Sequence, residues 1–479
     1  MPSPVNPRRI PAPVLPPVGA FGGDRIAQPD SARAAEGVNP VQVMAFKMAV
    51  VLVFINFSAI HQLLSYVAHV NFYLLYLFGI PTLLGVALGG GIQRTLRGRP
   101  AIYWLVFVLL LIAGVPFSSW KGGAATALMP YLRTVFPMLF VIAGLTTTWR
   151  ECRAMMWALA AGGTVIMSAA KLFQDTGGHY GERFAIEFGT VANSNDYAVH
   201  LGYVLPFVIW VALTAKSRAM RLVAWGVVGY GILLILKTGS RGGLVALAAG
   251  VLYWLLRGTM RQRIGLLLLG PVAAVTLVAF VPHSSLVRLV SFSADDAGAS
   301  EEAIESSRMR RYLLETSIAY SFQYPLFGVG MSQFGSFESS HSQIIGDHGY
   351  GHDTHNSYTQ VSSECGLPAL AVYIAAIVST FLMVNRVYRQ AGKRPGCEDI
   401  RMAAFCIMLA MTTYCTGILF TNFAYFLYLP VMSSLAIAVS SAAGAEFARR
   451  SSSPVEAQPG FAPQQPWLPR QRPVAPAAT

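Results

Sequence analysis

Four of the nine histidines in this sequence fall between residues 341 and 370, in HSQIIGDHGYGHDTHNSYTQVSSECGLPAL: His341, His348, His352 and His355. The stretch closes the longest polar interval of the chain and runs into an apolar block. Imidazole titrates near neutral pH, so a histidine at the mouth of an apolar bundle is a candidate general base. His355, one residue before Asn356 at the start of a span, is the one placed for that work, with Asp353 and Glu364 available to orient or tune it. A solvated loop whose histidines have no role is the plainer reading. A metal reading competes too. His348, His352 and His355 form H-x3-H-x2-H with Asp347 and Asp353 nearby, a set that zinc or another divalent ion can use. But no HExxH pattern is present and the glycine-rich spacing suggests a loop, so no metal and no cofactor are expected.

Two further stretches carry cations suited to an anion. In KTGSRGGLVAL, Arg241 opens an apolar span, and Gly239, Gly242 and Gly243 let the backbone approach a ligand closely. A guanidinium there suits a phosphate, through two parallel charge-assisted hydrogen bonds; snorkelling to lipid headgroups is the alternative. In SSRMRRYLLETSIAYSFQYPLFGVG, Arg308, Arg310 and Arg311 precede an amphipathic helix stopped at Pro325, with Leu314, Ile318 and Phe322 at i, i+4 spacing and Arg310 one turn earlier. Arginine at a helix N-terminus opposes the dipole, which hints at another partner. Two arginine sources converging on one place is what a diphosphate needs. A third segment, GERFAIEFGTVANSNDYAVHLGYVLP, offers Arg183, Asn193, Asn195 and Asp196, either as sugar-hydroxyl partners or as helix caps. Tyr358 and other aromatics fit sugar stacking and an interfacial belt equally.

These residues need a scaffold, and composition says which. The chain has 479 residues, 54% hydrophobic and 12% charged, with mean hydropathy +0.50. Soluble domains carry about 25% charged residues, so this is a polytopic membrane protein: all-α, a transmembrane helical bundle. About twelve apolar blocks lie near the ~20-residue spanning length, at 43–60, 70–90, 101–117, 128–147, 154–172, 197–214, 220–237, 242–256, 263–281, 366–385, 401–420 and 424–442. The net charge of +13 sits in short loops beside the spans. That is the positive-inside pattern, and it argues for membrane lipids rather than nucleic acid as the partner. Five cysteines form no CxxC pair, so neither a disulfide framework nor a sulfur zinc site is expected.

The domain reading follows. Residues 1–40, rich in Pro, Ala and Gly, form a disordered cytoplasmic tail. Residues 41–281 hold spans one to nine, 282–356 a large outer loop containing the amphipathic helix, 357–445 spans ten to twelve, and 446–479 a second disordered cytoplasmic tail. With the N-terminus inside, basic residues fall on every inner loop and all nine histidines on or near the outer face.

In this arrangement the sequence resembles the O-antigen ligase-like (O-antigen ligase/polymerase) membrane proteins. The resemblance rests on SRGG at 240–243 heading a span, Arg310 fifteen positions before the Pro of YPLFGVG, HDTHNSYTQVSSECGLPAL at 352–370, and about twelve spans with one long periplasmic loop before the histidine motif. One position departs: where the family often has Trp four residues after the helix arginine, Leu314 stands. The resemblance implies a metal-independent inverting glycosyltransferase of the bacterial inner membrane, acting on the periplasmic side. It would take a glycan from undecaprenyl diphosphate, with His355 deprotonating the acceptor hydroxyl and Arg241 and Arg310 holding the leaving diphosphate. It leaves the acceptor open among lipid A-core (lipopolysaccharide biosynthesis), a growing polysaccharide or exopolysaccharide, and protein Ser/Thr. A transporter or flippase of lipid-linked sugar is the reading from another class. It predicts inverted repeats and polar residues deep in the spans, whereas the polar groups here gather at one face.

Overall fold

The computed structural model describes residues 40–174, 183–290, 301–341 and 352–452. The segments expected to be disordered tails lie largely outside the described residues, as do His179, Asp347, His348 and Tyr350. Among the described residues the chain is helical, and its β structure is an isolated bridge between Gln174 and Ile186.

The first half comprises α1 (Pro40–Ser58), α2 (Ile60–Ala68), α3 (Leu74–Leu88), α4 (Gly91–Leu96), α5 (Arg99–Gly114), α6 (Lys121–Pro130), α7 (Phe136–Leu145) and α8 (Trp149–Ala169). A π-helical turn, Tyr131–Val135, joins α6 to α7 into one continuous span, Lys121–Leu145. Then come α9 (Ser194–Thr214), α10 (Arg218–Lys237), α11 (Arg241–Arg257) and α12 (Met260–Val278). The interval read as a single outer loop holds three helices: α13 (His283–Val290), α14 (Glu301–Gln323) and α15 (Phe334–His341). A short α16 (Ser357–Cys365) precedes α17 (Leu367–Ala391), α18 (Glu398–Gly417) and α19 (Tyr428–Ser452). Helix α19 thus runs past residue 446, where the C-terminal tail was expected to begin.

Among the described residues, ten helices are long and apolar enough to cross a membrane. All of the expected apolar blocks fall on helices; α3, with 15 residues, and α11, with 17, are shorter than those ten. The helix ends carry local signals. Thr148 and Glu151 close a capping box on α8, Thr259 and Gln262 another on α12, and Ser240 caps α11.

Helix α9 lies at the centre, packed on α8, α10 and α18, whereas no residue of α12 is buried. Between helices whose outer faces meet lipid, close packing and hydrogen bonds replace the hydrophobic effect. Phe57 stacks on Tyr203 at 5.3 Å, the Tyr203 hydroxyl donates to the Tyr428 carbonyl at 3.1 Å, and Thr413 donates to the Gly202 carbonyl at 2.7 Å. At one end of the bundle Asp399 accepts from Trp149 Nε1 at 2.7 Å and pairs with Arg450 at 2.9 Å, tying α8, α18 and α19 together. The candidate site is at the other end.

Candidate active site

The turn between α10 and α11 places the first cation. Thr238 and Ser240 are buried; Ser240 Oγ accepts from Gly243 N at 3.2 Å, and Gly239 between them has φ +60°. Arg241 follows at the first helical position and donates to Ser307 Oγ on α14 at 2.8 Å. Arg183 braces this turn from outside: its Nε donates to the Thr238 carbonyl and its Nη2 to Asn195 Oδ1, both at 2.9 Å. Asn193 accepts from Asn195 N at 2.8 Å and caps α9. Arg183 and Asn195 are therefore engaged with each other and with the turn backbone.

Helix α14 carries Arg310. The face it packs inward runs through Leu313, Ser317 and Ser321, one position before the Leu314, Ile318, Phe322 stripe, which is exposed. The serines explain the choice. Ser317 and Ser321 return their hydroxyls to the Leu314 and Ser317 carbonyls, and Ser321 Oγ lies 2.6 Å from Ser362 Oγ on α16. Small polar residues allow a close helix–helix approach there, and the apolar stripe stays on the exposed face. Arg310 continues the inward face and is half-buried. Burial first, then the Arg241 and Arg288 guanidiniums, pull it down to about 10, with Asp196 opposing. It stays charged at neutral pH. Arg308 is exposed, and Arg311 is exposed and paired with Glu315 at 2.9 Å.

The segment after α14 is clasped to α16. Leu367 N donates to the Pro325 carbonyl at 2.7 Å, Val329 N to Ser363 at 2.8 Å and Gly330 N to Glu364 at 2.9 Å. The buried Glu364 carboxylate accepts from Ser332 N at 2.9 Å, Phe334 N at 3.3 Å and the Tyr425 hydroxyl at 2.8 Å. Burial pushes it up to about 8, against the pull of those donors. Two glycines permit the contact. A β-carbon on Gly328 (φ +66°) would stand 2.3 Å from the Glu364 carbonyl carbon, and one on Gly366 (φ +87°) 2.2 Å from the Leu326 oxygen. Glu364 acts on the site through this clasp, which sets the seat of α14.

His355 precedes α16 in the left-handed region, at φ +49°. That conformation costs a non-glycine residue about 1–2 kcal/mol and is held by its flanks. Thr354 is buried and donates to the Asn356 carbonyl at 3.1 Å; Asn356 Oδ1 caps α16, accepting from Tyr358 N at 3.0 Å and Thr359 N at 3.2 Å. Tyr358 donates to the Cys415 carbonyl at 3.0 Å, and Ser357 N to Ile418 at 2.9 Å. Asn356 and Tyr358 are thus occupied in fixing the backbone beneath the histidine. Asp353 accepts from Asn422, and burial raises its carboxyl. Burial, then Arg310, then His352 push the His355 imidazole down to about 4. It is therefore uncharged at neutral pH and able to take a proton, with a guanidinium as neighbour.

The geometry brings Arg241, Arg310 and His355 to one end of the bundle, with Asp196 of α9 facing Arg310 and Asp353. It adds Arg288 of α13, which the sequence reading passed over. Arg288 sits alone in HSSLVRLV, with no neighbouring motif to mark it; the amphipathic pattern of that octet was the available signal. Among the described residues no group of three His, Cys, Asp or Glu side chains could hold a metal ion, and His348 of the H-x3-H-x2-H set lies outside them.

The multi-pass helical bundle thus gathers several guanidiniums and an uncharged histidine at one end. Residues 226–374, which carry Arg241, Arg288, Arg310, His355 and Glu364, match the family model described as O-antigen ligase; the Arg183 segment, α9, Asn422 and Tyr425 lie outside the match. The match, which spans less than half of the chain, supports a likeness to the O-antigen ligase-like membrane proteins. No curated protein matches the chain.

Proposed function

We propose that this protein is a glycosyltransferase of the bacterial inner membrane. It moves a glycan from undecaprenyl diphosphate to an acceptor hydroxyl on the periplasmic face, as an O-antigen ligase or as a polymerase of O-antigen or exopolysaccharide. One juxtaposition carries the reading: an uncharged His355 beside the Arg310 guanidinium, on separate elements held against one another. The acceptor oxygen attacks the sugar C1 from the face opposite the diphosphate, so the configuration inverts. The C1–O bond breaks and its electron pair leaves on the diphosphate, while the acceptor proton passes to His355. Arg241 and Arg310 hold the leaving group, where negative charge grows. The exposure of Arg308 and the Arg311–Glu315 pair favour Arg310 as the arginine of α14 that does so. No metal enters this scheme. The periplasmic assignment rests on the arginine-rich loops at the opposite end of the bundle.

The test uses the full chain in membranes, with insertion and amount verified. Transfer from an undecaprenyl-diphosphate glycan is measured to lipid A-core, to a second lipid-linked repeat unit and to protein, with and without EDTA. His355→Ala is expected to abolish transfer, Arg310→Ala to lower it by about a hundredfold while leaving it measurable, Arg311→Ala to leave it near normal, and EDTA to have no effect. Normal transfer by His355→Ala would refute the base assignment. Loss of transfer on adding EDTA would replace it with a metal site built on His352 and His355. The acceptor that gains glycan names the branch.

A further inference from the structure

Arg288 comes from α13, an element that the reading above does not use. Its side chain crosses the turn that presents Arg241: a β-carbon on Gly239 would stand 3.3 Å from Arg288 Cδ and 3.9 Å from Arg183 Nε. The positive φ of Gly239 and its missing side chain make room for that crossing. Helix α13 is pinned to the same turn, with buried Ser285 donating to the Lys237 carbonyl at 3.2 Å and Leu289 buried beside it. The stem of Arg288 is thus fixed while its guanidinium, half-buried, donates no hydrogen bond among the described residues. Arg241 and Arg310 both feel its charge. Arg183, by contrast, is committed to Thr238 and Asn195.

Like charges gathered in a half-buried place are costly unless an anion joins them. Three guanidiniums from α11, α13 and α14 converge, and the carboxylate facing Arg310 is Asp196. Asp353 lies beyond it, tied to Asn422. Arg241 and Arg310 suffice for one phosphate each. The third cation is unaccounted for until the reaction is followed: a diphosphate bound through both ends gains a further negative charge when the sugar–oxygen bond breaks.

We propose that Arg288 is a third anion-binding residue, contacting the phosphate from which the sugar departs and making the site selective for a diphosphate over a monophosphate; this rests on the function proposed above. The cation is most valuable where the charge appears, so it acts on turnover more than on donor capture.

The test takes full-length protein in lipid nanodiscs and measures binding of undecaprenyl diphosphate and undecaprenyl monophosphate, together with kcat and KM for transfer. Arg288→Gln is expected to lower kcat by about ten- to a hundredfold, the range for removing one charge-assisted donor. KM should change little, and the diphosphate-over-monophosphate preference should shrink. Arg288→Lys should recover part of both. Wild-type turnover and preference in Arg288→Gln, while Arg241→Gln loses them, would overturn the role of Arg288 and leave the parent reading standing. Failure of the unmodified protein to prefer the diphosphate would refute the parent reading and this proposal together. If Arg288→Gln does not fold, the lysine variant decides: unchanged kcat and unchanged preference there, with Arg288→Ala folded and equally unchanged, overturns the proposal.

Discussion

Replacing Glu364 by Ala removes the acceptor of three buried donors: Ser332 N, Phe334 N and the Tyr425 hydroxyl. Each stranded donor costs about 1–3 kcal/mol, so after local relaxation the variant should lose roughly 3–6 kcal/mol. Glu364→Gln keeps one oxygen, which can take the two donors at Oε2, and turns its amide toward Phe334 N; one lost bond predicts roughly 1–3 kcal/mol. The native carboxyl also makes stability depend on pH. Burial lifts Glu364 to about 8, against 4.5 for the unconstrained side chain. Between those values the folded state keeps a proton that the unfolded chain has released, so stability falls as pH rises through that window. The glutamine variant cannot titrate and should lack that slope. Thermal unfolding in detergent, followed by size-exclusion chromatography at several pH values, reads both effects. An alanine variant as stable as the unmodified protein, or less damaged than the glutamine variant, would refute the clasp as the support of α14. So would a pH slope that persists unchanged in Glu364→Gln.

Two other predictions concern the histidine and the glycines. With the imidazole of His355 down at about 4, kcat/KM should stay level from neutral pH down to about 5 and fall as pH drops through about 4; Arg310→Lys should leave that limb in place, whereas Arg310→Gln, by removing the cation, should move it toward higher pH. A pH–rate profile in which Arg310→Gln does not move the limb would disprove the coupling. Gly366→Ala drives a β-carbon to 2.2 Å from the Leu326 oxygen and should cost roughly 2–4 kcal/mol. Gly226→Ala, in open space on α10, should be neutral or stabilising, and thermal shift compares the two.

Much of the frame could be read from the residues alone. Long apolar runs report spans because lipid leaves the backbone no other way to satisfy itself, and Pro325 announces the end of α14, which stops at Gln323. Ser317 and Ser321 carried a weaker signal. Counting apolar residues favours the Leu314 stripe, but the contacting face is chosen by how closely α14 can approach α16, a property of the pair. Asn356 read as a neighbour of the candidate base, yet its side chain is a cap, and its two backbone partners lie in the next turn of its own helix. The bond from Arg183 to Thr238 and the crossing of Arg288 over Gly239 join positions about 50 residues apart. No local spacing rule reaches that far, because such pairs exist only once the helices have packed. The left-handed backbone of His355 left no trace in composition either, since glycine and asparagine are the usual markers of that region.

The YPLFGVG and ECGLP segments, which look like separate signatures in the chain, are two halves of one joint. Gly328 lies against the carbonyl of Glu364, and Gly366 against that of Leu326. Anyone grafting the α14–α15 region between relatives, to exchange acceptor preference for instance, must therefore transplant α16 with it. The natural module for recombination is the pair of segments rather than the contiguous loop, and a crossover point placed between residues 341 and 352 would separate a lock from its key.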